Sequence, residues 1–176
     1  MKNRTLIAIA ALVLSGCAST VEPSGFIQDQ AHLRSGEFFK QEYLSPSADL
    51  TKYSTVKVER VELAYLKDAA QYDPSELADV AAALHRHFEE KLSGAGFKVL
   101  PASQPADAAT LVVSPALVSL GTPQRTLNAV TSVLIFVPVT SGSAGFAAKF
   151  SDGGTGKLIG EIAEKSTGGS GSTKSL

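Results

Sequence analysis

Apolar and polar residues alternate along residues 54–66 in a way that predicts a strand with one irregularity. Val56 and Val58 alternate with Lys57 and Glu59, whereas Val61, Leu63 and Tyr65 alternate around Glu62. The apolar set changes parity at Arg60, and a regular strand would turn half of it to solvent. A bulge near Glu59-Arg60 would restore one buried face. Over residues 74–93 the period changes to that of a helix. Leu77, Val80, Ala81, Leu84, Phe88 and Leu92 recur at spacings of three and four. Asp73 is a good N-cap, Pro74 suits the first helical position, and Glu76 sits where a capping box places its acid. Gly94 and Gly96 stop the helix.

Beyond the helix the strand signals return. Phe97 to Leu100 reads as a short strand, and residues 101–109 as a Pro- and Ala-rich loop. Thr110 to Leu120 is a second long strand, in which Pro115 requires an edge position or a bulge. Phe146 to Ser151 and Lys157 to Glu164 form a hairpin across Asp152-Gly153-Gly154-Thr155-Gly156. These elements predict an α+β fold. A mostly antiparallel sheet of four or five strands packs against one long amphipathic helix as a two-layer sandwich.

The N-terminus carries a different pattern. Lys2 and Arg4 precede an apolar run, Leu6 to Leu14, followed by small Ser15 and Gly16 and then Cys17. This is the layout of an export signal. The run is shorter than the roughly 20 residues that span a bilayer. Cys17 is the sole cysteine, so no internal disulfide is available. The motif Leu14-Ser15-Gly16-Cys17 resembles the lipobox of bacterial lipoproteins, an ordinary cleaved signal being the alternative. The resemblance implies cleavage before Cys17, which then carries a diacylglycerol thioether and an acylated amine. Several chains hold a membrane far more firmly than one. Ala18 stands where an Asp favours inner-membrane retention in enteric bacteria. The expected location is therefore the periplasmic face of the outer membrane, with the inner membrane's periplasmic face as the alternative.

The expected organisation is a signal peptide over 1–16, a lipidated tether and lead-in over 17–36, one α+β domain over 37–165, and a Gly/Ser-rich tail over 166–176. Ser19, Thr20, Pro23, Ser24 and Gly25 disfavour regular structure in the tether. Phe26, Leu33, Phe38, Phe39, Tyr43 and Leu44 are expected to dock residues 26–44 on the domain. Without the signal the chain has 14 basic and 17 acidic side chains, a formal charge of −3. That balance argues against nucleic acid and against polybasic membrane binding.

Residues 126–148 carry no charge. With Val130, Val133, Leu134, Ile135, Phe136, Val137 and Val139, this is the most apolar stretch after the signal. It is a buried core element, or else a surface that meets a partner, a ligand or a membrane. Asn128, Pro138 and Ser141-Gly142-Ser143 argue against a span. Val133 to Val137 are the candidate contact residues.

The search for chemistry returns no catalytic residues, no metal site and no cofactor. His85 and His87 lie two apart, about 200° around a helix, and cannot share a metal. There is no Gly-x-Ser-x-Gly elbow and no Ser-x-x-Lys ahead of a helix. The glycines at 153, 154 and 156 fit a hairpin better than a phosphate loop. Asp152 with Thr155 offers too few ligands for calcium.

The chain as a whole resembles bacterial lipoproteins of the domain-of-unknown-function 3313 family. The matching features are Gly25-Phe26, Tyr53-Ser-Thr-Val56, the helix with Leu84 and Leu92, Thr110-Leu-Val-Val113, and Asp152-Gly-Gly-Thr-Gly156 followed by Lys157-Leu158. The resemblance covers nearly all of the chain after the signal. It implies a lipoprotein of unknown activity with no catalytic residues to carry over. Relatives often continue into a further Trp-containing helix, whereas this chain stops at Leu176. The expectation is a shortened member, with apolar surface left open or filled by a partner. The expected function is a non-enzymatic accessory or binding protein of the cell envelope, anchored by lipid and engaging an envelope complex. A periplasmic carrier of a small apolar or lipid-like ligand is the alternative.

Overall fold

The computed structural model describes residues 24–36, 39–121 and 143–167. Six strands form one sheet: β1 (Gln41–Leu44), β2 (Thr55–Val58), β3 (Lys98–Val99), β4 (Thr110–Leu120), β5 (Ser143–Asp152) and β6 (Leu158–Thr167). Their order is β1-β6-β5-β4-β2-β3. The β1/β6, β6/β5 and β5/β4 pairs are antiparallel, whereas β2 runs parallel to both β4 and β3. A helix, α1 (Pro74–Gly94), links β2 to β3. Parallel neighbours need such a crossover. The α+β two-layer architecture read from the sequence is the one observed. The sheet is wider than four or five strands because β1, in the docking segment, adds a sixth at the edge.

Helix α1 begins where Asp73 accepts from the Ser75 backbone N–H at 2.8 Å. It ends where Gly96, at φ +95°, donates to Ser93 O. That left-handed φ favours glycine. Leu77, Val80 and Leu84 pack on Val61, Leu66 and Leu117. Phe88 and Leu92 continue the stripe onto the cluster of Val56, Val58, Leu111 and Val113. Phe88 meets Phe146 of β5 edge-on, with ring centres 5.8 Å apart.

The expected bulge is present, but it breaks the strand. Glu59 N donates to Val113 O and Glu62 N to Pro115 O, so three residue steps on one chain match two on β4. The extra residue restores Val61 to the face of Val56 and Val58, and all three are buried. The chain past Val58 is therefore not strand through Tyr65; it rejoins β4 only at the Glu62–Ala116 bridge. Pro115 lies in the sheet interior opposite this bulge, not at an edge. It has no N–H to donate on the β2 side, and Glu59 O accepts instead from His85 Nδ1–H at 3.0 Å.

The sheet's second face is covered by the lead-in. Phe26, Ile27 and Leu33 are buried against Ala116, Val118, Ala147 and Ala163, with Tyr43 alongside.

Candidate functional site

Leu14, Ser15, Gly16 and Cys17 lie outside the described residues, as do Val133, Leu134, Ile135, Phe136 and Val137. What the structure does describe is the two strand ends that flank residues 122–142. Leu120 pairs with Ala144, so 122–142 joins two adjacent antiparallel strands at one end of the sheet. The departure point is pinned by the Tyr72 hydroxyl, which donates to Leu120 O at 2.8 Å and Gly121 O at 3.2 Å. Residues 143–148 of the run belong to β5, where Ala144, Ala147 and Ala148 are buried. Gly145 is buried with them, and Phe146 is half-buried.

Phe26 lies toward the same end. Its ring meets Tyr65 at 5.2 Å, and Lys67, two residues on, donates its backbone N–H to Val118 O near the end of β4. From Phe26 the lead-in crosses the sheet toward β1. Asp29 caps a 3₁₀ turn, Gln30–His32, by accepting from Ala31 N at 3.0 Å. His32 thereby reaches β6, where Nε2–H donates to Glu161 at 2.5 Å. The His32 ring rests on Tyr43 with centres 4.3 Å apart, and Nδ1 is 3.6 Å from Asp29. Arg34 then pairs with Glu42 on the outer edge of β1, Arg34 N–H donating to Glu42 O at 2.9 Å and Glu42 N–H returning to Arg34 O at 2.8 Å. Glu161 is 3 % exposed and stands opposite Lys149 of β5, whose ammonium lies 4.6 Å from the Phe26 ring centre.

Sequence reading missed this site because its two polar halves are 129 residues apart. A signal was present: Glu161 shares strand parity with Ala163, a charge at a core position.

Asp152 forms a second polar node. One carboxylate oxygen accepts from Lys52 Nζ at 2.5 Å and Tyr53 OH at 2.9 Å. The other accepts from Gly154 N, Thr155 N and the Thr155 hydroxyl at 3.1, 2.9 and 2.9 Å. The Lys52 hydrogen bond, then those of Thr155 and Tyr53, hold the Asp152 carboxyl far below the usual carboxylate range. The same contact raises the Lys52 ammonium, and burial raises the Tyr53 hydroxyl. Five donors from the chain itself saturate this carboxylate, so it fixes the β5–β6 turn rather than holding a ligand.

The two helix histidines diverge. His85 serves Glu59 O and lies 3.3 Å from Glu89, whereas burial, then Lys91, lowers the pKa of His87. Among the described residues no three His, Cys, Asp or Glu side chains gather as a metal site, and no helix is long and apolar enough to cross a membrane.

A family model described as "Protein of unknown function (DUF3313)" matches residues 22–176. No curated protein matches the chain. Among solved structures, lipoprotein GNA1162 from Neisseria meningitidis is similar at 14% identity over 69% of this chain and 86% of that one, with a TM-score of 0.42. The PelC dodecamer from Paraburkholderia phytofirmans is similar at 15% identity over 75% and 83%, with a TM-score of 0.45. Likeness this distant carries no argument about function.

Proposed function

Since the chain belongs to the DUF3313 family of proteins of unknown function, we propose its role from its own residues. It is a lipid-anchored bacterial envelope protein without enzymatic activity, held through Cys17 on the periplasmic face of the outer membrane. It binds another envelope component through Val133 to Val137. One observation carries this reading. Residues 122–142, which hold Val133 to Val137 and most of the uncharged stretch, connect Gly121 to Ser143 toward the end of the sheet where the lead-in from Cys17 arrives at Phe26. A contact there meets its partner close to the membrane surface.

The magnitudes are consistent with such a contact. Burying five apolar side chains gains on the order of 7–15 kcal/mol. Association and ordering cost on the order of 4–15 kcal/mol. The surplus is small, and anchoring makes it sufficient by confining both partners to one surface and raising their effective concentration. A non-enzymatic role is supported by the use of Asp152, Glu161 and His32 in internal pairs.

The test replaces Val133 to Val137 with serines in the lipidated protein. The expected result is loss of partner capture with an unchanged melting temperature. Loss of folding would assign the segment to the core and overturn the proposal. A small apolar molecule retained by the unaltered protein in native mass spectrometry would favour the carrier instead.

A further inference from the structure

We propose that residues 24–34 are a separable strap that sets how far the domain stands from the membrane, with His32–Glu161 as the pin that fixes its register. The inference rests on Cys17 being the lipidated residue. The seam between strap and sheet is asymmetric. The strap contributes the large side chains Phe26, Ile27 and Leu33, while the sheet contributes mainly the small floor of Ala116, Ala147 and Ala163 beside Val118. The floor also carries Glu161 and, opposite it in register, Lys149. Small and charged residues tolerate water when uncovered, unlike the Leu- and Val-rich face under α1. The strap is therefore a cover laid on a finished sheet.

What pins it is polar. An apolar seam tolerates sliding, whereas the His32–Glu161 bond at 2.5 Å is satisfied in one register only. The Arg34–Glu42 pairing next to it marks the same register on the edge of β1.

Docking decides reach by chain length alone. With the strap docked, the seven residue steps from Cys17 to Ser24 extend at most ~24 Å. With residues 24–34 released, the eighteen steps from Cys17 to Ser35 extend at most ~60 Å. The domain is thus held near the periplasmic leaflet of the membrane when docked and can range tens of ångströms from it when freed.

The experiment uses the mature lipidated protein in a supported bilayer. Lipid occupies Cys17, so Ser103→Cys, at an exposed position by the end of β4 remote from Leu120, supplies one thiol for a dye. Energy transfer to labelled headgroups reads height, and exchange of the Arg34 amide reads strap docking. His32→Ala should raise Arg34 exchange by about tenfold or more, leave β4–β6 amides protected, and lower the energy transfer. Glu161→Gln should do the same more weakly, since it keeps the shape and loses the charge. Unchanged Arg34 exchange in both variants, or faster exchange with unchanged transfer, would overturn the inference. Absence of acyl chains on Cys17 by mass spectrometry would instead refute the anchor reading, whatever the exchange shows.

Discussion

Gly153→Ala puts a number on the packing of the turn that carries the Asp152-Gly-Gly-Thr-Gly156 motif. A Cβ at Gly153 would lie 2.6 Å from Asp107 O, 2.8 Å from Thr110 O and 2.9 Å from Ala106 Cβ, where ordinary contact begins at 3.4 Å. Neither oxygen can yield cheaply. Asp107 O accepts from Thr110 N at 3.1 Å, its carboxylate accepts from Ala109 N at 3.0 Å and the Thr110 hydroxyl at 2.6 Å, and Thr110 opens β4. The turn itself must lift, which breaks the Gly153 N–H bond to Thr110 O at 2.8 Å. Overpacking of this kind costs about 1–3 kcal/mol. The lost hydrogen bond adds about 0.5–1.5 kcal/mol. The expected loss is about 2–4 kcal/mol, which for a domain of this size lowers the melting temperature by roughly 5–15 °C. Gly94→Ala is the internal control, because a Cβ there meets nothing within 4 Å. As a helical position it should gain up to about 1 kcal/mol. Urea titration and thermal melts of both variants are the assay. A Gly153→Ala protein within about 0.5 kcal/mol of the original would refute the reasoning, because surface changes alone fall in that range.

Other outcomes follow from the same geometry. Leu117→Ala, at a fully buried side chain between α1 and the sheet, should cost about 2–5 kcal/mol in urea unfolding. The Asp152 carboxyl binds its proton more weakly folded than unfolded, so its contribution is complete above the ordinary carboxylate value. As pH falls through and below about 4 that contribution is lost, and Asp152→Asn should flatten the acid limb of a stability–pH curve. An unchanged limb in that variant would mean another carboxylate dominates. Cys17→Ser should move the protein from the membrane to the soluble fraction, and persistence in membranes would remove the lipid anchor from the account.

The parts of the fold legible in the sequence are those encoded locally. Asp73, Gly96 and the three-and-four spacing act within a few residues of each other, so α1 is written in one stretch. The parity change at Arg60 encodes the bulge because strand faces alternate strictly, whatever the partner strand. The turn at 152–156 follows from its glycines. Sheet order is different in kind. Nothing near Gln41–Leu44 says that it pairs with β6, some 120 residues later, and nothing near Thr55 says that β2 lies parallel to β4. Pro115 shows the boundary between the two. Its missing donor was readable, but the bulge that accommodates it in the sheet interior depends on a neighbour the local pattern does not name. The polar pin at Glu161 was hidden for the same reason. Of the candidate contact region, the structure settles only 143–148 as strand.

The most direct test of the central claim is a photo-crosslinking residue at Phe136 in the lipidated protein, activated in intact envelopes. The account expects one dominant adduct to another envelope component, absent when Cys17→Ser frees the protein from the membrane. An internal crosslink to the protein's own sheet as the sole product would contradict it and make the uncharged segment core.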